Sequence, residues 1–238
     1  MSPDSRRGES TGSGAALSER VVVWLLVGLA AAAGCLDAVC VTRLGGVFAS
    51  VITGNLVQLG RAVAAVDGWM AAGATTAVGC YAAGVAVGTV GLRRCAAGWR
   101  RRTSAVVAGE AVLLAGVAVG WLAADARPGR CTALLLLGAA AAAMGVQSVV
   151  TISSGVRGAS TTYLTGTLTD MVRAVIADPH RFAAGKGGAS RLVALLCGAI
   201  IGALALRVAP LWAPALSAAL VAVVVIAAAF ARDRTEEP

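Results

Sequence analysis

Residues 46–64 read GVFASVITGNLVQLGRAVA and residues 158–177 read GASTTYLTGTLTDMVRAVIA. Both are too polar and too interrupted by glycine for a plain membrane span, and too apolar for an ordinary loop. They lie among six longer apolar runs, at 21–42, 69–92, 104–124, 131–153, 191–209 and 211–231. Each run is close to the ~20 residues that cross a ~30 Å hydrocarbon core as a helix. A helix is the expected form, because lipid offers backbone groups no water. The reading of the two weak segments decides how often the chain crosses and which loops share a side.

The rest of the composition agrees with a membrane chain. Of 238 residues, 58% are hydrophobic and 13% charged, and the mean hydropathy is +0.81. Soluble domains average near half apolar and a quarter charged. A disordered chain, a small disulfide scaffold and an ordinary cytosolic enzyme are thereby excluded. The net charge of +8 does not point to nucleic acid. The basic residues, all Arg except Lys186, fall between apolar runs instead of lining one amphipathic face.

Six cysteines (Cys35, Cys40, Cys80, Cys95, Cys131, Cys197) form no C-x-x-C pair, and most sit inside apolar runs. They read as small buried hydrophobes. The only histidine is His180, so no zinc site is expected, and no cofactor is implied. G-x-S-x-G, P-loop and H-E-x-x-H patterns are absent, so no enzyme is expected.

If both weak segments are re-entrant, six spans remain. With the N-terminus inside, fifteen basic residues are then cytoplasmic and five external, the latter being Arg43, Arg61, Arg127, Arg130 and Arg207. If both crossed fully, the five-Arg loop RRCAAGWRRR at 93–102 would move outside, against the positive-inside rule. Six spans with both termini cytoplasmic, in a bacterial plasma (inner) membrane, is the reading adopted. The basic loop then anchors topology and touches anionic lipid heads, with Trp69 and Trp99 in the interfacial belt. A rival makes 1–35 a cleaved lipoprotein signal ending at Ala33-Gly34-Cys35. Ala32 stands where Leu is usual, and five more spans follow, which argues against cleavage.

The weak segments match each other. Thr53-Gly54 and Thr165-Gly166 stand 112 residues apart, and each is followed by Arg-Ala-Val beginning eight residues past the Thr, at Arg61 and Arg173. The expected organisation is a disordered tail 1–20, a first repeat 21–124, an external linker 125–130, a second repeat 131–231 and a cytoplasmic tail 232–238. Three spans per half would invert the second repeat. Interrupted segments at matching places in inverted halves are the mark of secondary transporters. The expected fold is therefore all-α, with six transmembrane helices in two inverted repeats, each carrying a short broken or re-entrant Thr-Gly segment.

Gly34-x-x-Asp37-Ala38, Gly45-Gly46-Val47-Phe48 and Thr53-Gly54-Asn55-Leu56, with Gly145-x-Gln147 and Thr161 to Asp170 in the second half, resemble the YoaK-like family of bacterial integral membrane proteins. The resemblance covers about 20–230. It implies a membrane protein of no established activity. Ser148 departs from it, since similar sequences often carry an amide there.

Asp37 is the sharpest candidate. A carboxylate within a span is costly and usually faces a cavity or the bundle interior. It reads either as a cation or proton site or as a structural partner of Arg43. Thr53, Gly54, Asn55 and Gln58, with Thr165, Gly166, Thr167 and Asp170, are candidates for a substrate site where the two segments meet at the midplane; the alternative is plain helix packing. Gln147 and Tyr163 are second-tier candidates. Glu110 reads as snorkelling toward Arg100–Arg102 in preference to relaying protons. Gly84-x-x-x-Gly88 and Gly198-x-x-x-Gly202 read first as packing surfaces and second as contacts of a homo-oligomer. The leading function is a small permease for a polar or cationic solute. A non-transporting scaffold is the alternative, and an intramembrane enzyme built on Asp37 and Asp170 a remote one. The bilayer is the partner expected in every case.

The fifteen-to-five asymmetry makes a direct prediction. A cysteine placed in 93–103 of an otherwise cysteine-free variant should resist an impermeant maleimide in intact cells and react once they are permeabilised. Labelling from outside would reverse the orientation.

Overall fold

The computed structural model describes residues 16–156, 164–177 and 186–236. The first fifteen residues, Tyr163 and His180 lie outside that set, as do the side chains of Thr165 and Lys186. Among the described residues there are eight α-helices and no strand: α1 (Glu19–Arg43), α2 (Ile52–Ala64), α3 (Gly68–Leu92), α4 (Arg101–Ala123), α5 (Arg130–Ser153), α6 (Leu164–Ala177), α7 (Lys186–Val208) and α8 (Ala213–Glu236). A 3-10 turn, Pro210–Trp212, precedes α8. Six helices are long and apolar enough to cross a membrane, namely α1, α3, α4, α5, α7 and α8. At 1.5 Å per residue they measure about 35–38 Å, and they coincide with the six apolar runs.

Local chemistry sets several ends. The Asp67 carboxylate accepts hydrogen bonds from the Trp69 and Met70 backbone N–H groups at 3.1 and 3.0 Å, capping α3. At α4, Thr103 Oγ1 accepts from the Arg100 N–H at 3.2 Å. α1 stops where Gly45 and Gly46 take φ of 105° and 75°, a region closed to most L-residues.

α1 and α5 form the centre. Of their most apolar stretches, 61% and 67% is buried inside the protein, against 28–33% in the other four long helices. α1 packs on α7 and α8, α5 packs on α3 and α4, α4 packs on α8, and α1 touches α5. The close pairs depend on glycine. A Cβ on Gly34 would fall on the Leu195 carbonyl oxygen, and one on Gly198 on that of Ala31. Between α3 and α5, a Cβ on Gly145 would fall on the Tyr81 carbonyl oxygen and one on Gly84 on that of Ala142. Backbones approach this closely only where a side chain is missing. The two G-x-x-x-G spacings therefore close helix pairs within this chain. Equivalent residues stand at constant offsets: Gly34 and Gly145, like Ala31 and Ala142, are 111 apart, and Leu195 and Tyr81, like Gly198 and Gly84, are 114 apart.

The expected midplane meeting of the two Thr-Gly segments does not occur. α2 packs on α3, α6 packs on α7, and among the described residues neither touches the other. At 13 and 14 residues they reach only about 20 Å. Each leaves apolar side chains exposed, Val57 and Val63 on α2 and Leu168 and Ile176 on α6. They are amphipathic covers on their neighbours. Thr53-Gly54-Asn55 is the first turn of an unbroken helix, and the irregular backbone that enters the protein is the preceding stretch 44–51, where Leu44, Val47, Ala49 and Ser50 are buried. Trp99, read as a belt residue, is fully buried, with its Nε1–H donating to Ser104 Oγ at 2.9 Å.

The glycine contacts predict opposite signs for one chemical change. Gly198→Ala and Gly84→Ala should each lower the thermal midpoint in detergent, by the ~1–3 kcal/mol typical of overpacking or more. Gly109, which has nothing within 4 Å of an added Cβ, should gain about 0.5–1 kcal/mol as Gly109→Ala. Equal effects at the three sites would refute the close-contact reading.

Candidate functional site

Asp37 lies six residues before the end of α1, about 9 Å along the axis, and is 7% exposed. Its Oδ1 accepts from the backbone N–H groups of Ala49 and Ser50, at 2.8 and 2.9 Å. Its Oδ2 accepts from Ser50 Oγ at 2.5 Å. The carboxylate thus holds the last turn of the 44–51 loop against α1. Arg43, the structural partner weighed against a cation or proton site, is exposed, and the hydrogen bonds of Asp37 go to the loop. Position explains this: the loop folds back over α1, bringing free N–H groups closer than a flexible side chain at the helix end.

Asn55 grips the same loop from α2. It is fully buried. Its Oδ1 accepts from the Phe48 N–H at 2.9 Å, and its Nδ2 donates to the Phe48 carbonyl at 2.7 Å. Gln58 Nε2 approaches the Gly46 carbonyl at 3.5 Å. Three residues singled out in the sequence therefore converge on one piece of backbone. Thr53 is exposed, and Gly54 packs beside Phe48 and Val51.

The second-half candidates lie elsewhere. Gln147 is fully buried and donates through Nε2 to the Leu29 carbonyl at 3.2 Å, tying α5 to α1. Leu29 is eight residues, about 12 Å, from Asp37 along α1. Gly166 and Asp170 are exposed on α6. α6 meets α7 through Thr167 and Met171 at Gly188, seven residues before Leu195, so Asp37 and Asp170 do not share a site. Tyr163 and the Thr165 side chain fall outside the described residues.

Sequence reasoning missed Ser50, Phe48 and an open-sided cavity of about 440 Å³ between α1 and α7, at whose mouth Thr42, Ile200 and Ala203 are exposed. Asp37, Val41, Phe48, Val51, Leu195 and Ile200 are among its walls. The paired Gly45-Gly46 was the available signal for a buried turn there. Two further cavities lie along the helix seams among the described residues. One of about 420 Å³ lies at the other end of the α1/α7 seam, beside Arg20, Val23, Trp24 and Ser190. One of about 640 Å³ lies between α3 and α5, beside Cys131, Leu134, Leu135 and Thr76. Their walls match at the same offsets of 111 and 114 residues.

Glu110 does not snorkel. It is 1% exposed, and among the described residues neither carboxylate oxygen has a hydrogen-bond partner. It lies about 13 Å into α4, too deep to reach the basic loop. α8 runs antiparallel beside it, fixed by Arg232 Nη2 donating to Ser104 Oγ at 2.6 Å and Trp121 Nε1 donating to the Pro210 carbonyl at 2.8 Å.

These environments predict contrasting mutants. Asn55→Leu strands both polar groups of Phe48, at about 1–3 kcal/mol each, and should lower the thermal midpoint. Glu110→Leu removes a buried acid that has no hydrogen-bond partner among the described residues, and it should hold or raise the midpoint. A fall on Glu110→Leu as large as that on Asn55→Leu would contradict the geometry.

Comparison with known proteins adds one result. No curated protein and no solved structure matches the chain. A family model described as a protein of unknown function, DUF1275, matches residues 25–227, which runs from within α1 to within α8 and takes in the whole Asp37 site. The chain belongs to the DUF1275 family.

Proposed function

We propose that this protein is a small plasma-membrane permease built from two inverted repeats, 21–124 and 131–231, with both termini in the cytoplasm. The observation that carries the reading is the place of Asp37: a buried carboxylate in the wall of a cavity between α1 of the first half and α7 of the second. Secondary transporters hold substrate at the interface of such halves, beside irregular backbone that lines a cavity.

The repeat draws support from contacts that come in equivalent pairs. α1 on α7 corresponds to α5 on α3, α1 on α8 to α5 on α4, and α2 on α3 to α6 on α7. The constant offsets of the glycine contacts and of two cavities point the same way. Three long helices per half make the related halves opposite in the membrane, and the charge asymmetry sets the orientation. The substrate-facing residues are then Asp37 and the loop held by Asn55 and Gln58. Gly166, Thr167 and Asp170 belong to the corresponding cover of the other half.

A non-transporting scaffold remains the second reading, favoured by the backbone-to-backbone glycine seams, which resist sliding. Transport separates the two. Protein in sealed vesicles should accelerate uptake or efflux of a solute class picked out by metabolite comparison of a deletion strain, and Asp37→Asn should abolish that flux while remaining folded. Flux unchanged in Asp37→Asn would remove Asp37 from the mechanism, and absence of flux for every class that changes in the strain would favour the scaffold.

A further inference from the structure

We propose that the cavity between α1 and α7 binds an amphiphilic organic monocation of the alkylammonium type, with its charge on Asp37 and its apolar body among Val41, Phe48, Val51, Leu195 and Ile200. This rests on the site described above and names the class of its ligand.

The charge balance of the site carries the argument. All three donors to Asp37 are neutral, two backbone N–H groups and one hydroxyl. They hold the carboxylate in place without cancelling its charge. A carboxylate offers about four acceptor positions, and three are taken. Buried charges are ordinarily paired, and a cation arriving in the cavity would complete the pair.

The remaining walls select what carries that cation. They are almost wholly apolar. The one other side-chain hydroxyl there, Thr42 Oγ1, already donates to the Ala38 carbonyl at 2.6 Å. A sugar or an amino acid would lose its water hydrogen bonds and find nothing to replace them. A bare metal ion would meet one carboxylate where hard cations need about six oxygens. An anion would face the carboxylate. One positive charge on an apolar body satisfies every wall, and Phe48 adds an aromatic ring of the kind that attracts quaternary ammonium groups. A volume of about 440 Å³ lies within the ~300–1,000 Å³ usual for small-molecule sites.

The test is equilibrium binding to the purified full-length protein in dodecyl maltoside micelles, whose headgroup carries no ammonium. The probe is benzyltrimethylammonium, and the controls are neopentylbenzene, its uncharged isostere, and sodium chloride. Saturable binding of the cation is expected, at least tenfold tighter than that of the isostere and not displaced by moderate sodium. Asp37→Asn should weaken it at least tenfold. Because that change also touches the loop, Ala203→Trp, which fills the cavity from α7 and leaves the Asp37 hydrogen bonds alone, should abolish binding with the thermal midpoint retained. Phosphatidylcholine or phosphatidylethanolamine added to the micelles asks whether a lipid ammonium is the natural source: competition assigns the site to the headgroup, and no competition assigns it to a free cation. Equal binding of the isostere, displacement by sodium, or indifference to both variants overturns the proposal. Saturable binding with no flux would leave this inference standing and overturn the permease, whereas flux of another solute with no cation binding would do the reverse.

Discussion

In lipid, apolar side chains gain nothing by leaving their surroundings for one another, so helices are held by close packing and by polar groups that have nowhere else to bond. In this protein the distance of approach is set by backbone meeting backbone. Gly34 and Gly198 bring α1 against α7, and Gly84 and Gly145 bring α3 against α5. Each seam leaves no room for a methyl group at its tightest point, and each fixes a central helix against a helix of the other half of the chain. α8 packs beside α1 and α4 beside α5, and the cavities described above lie along the two seams.

The second constraint is the cost of irregular backbone away from water. The 44–51 loop enters the protein with N–H and C=O groups that must be satisfied. Asp37 takes two N–H groups and a hydroxyl, and Asn55 takes both polar groups of Phe48. The carboxylate therefore does two things with one geometry. It closes the turn, and it leaves a negative charge on the wall of a cavity that is otherwise apolar. Ser148 stands at the offset of Asp37 in the other half and carries no charge, so the two seams share a shape and differ in chemistry.

The six long helices were legible because hydropathy and length are near-sufficient signals in a chain this apolar. Asp37 was legible for a related reason, since a charge within a span demands an explanation. The role of the Thr-Gly segments was misread in part. Thr53-Gly54 looks like a break because glycine weakens a helix, yet Ile52, Leu56, Leu59 and Val63 still give α2 an apolar spacing, and the break falls earlier, at Gly45-Gly46. Glu110 was misread because its distance from Arg100–Arg102 was judged by sequence, whereas α4 carries it about 13 Å inward. The pairing of α1 with α7 was not legible at all. G-x-x-x-G announces that a helix accepts a close neighbour and does not say which one.

The proposed inverted repeat rests on α2 turning back without crossing the membrane: α1 and α5 then end on opposite sides, whereas a full crossing by α2 would bring both ends to the same side. Thr42 near the end of α1 and Ser153 at the end of α5 are 111 residues apart, the offset of the glycine seams. Single cysteines at the two positions, probed with an impermeant maleimide in intact and then permeabilised cells, measure this directly. The account predicts Thr42→Cys labelled in intact cells and Ser153→Cys labelled only after permeabilisation. Labelling of both from the same side would contradict it.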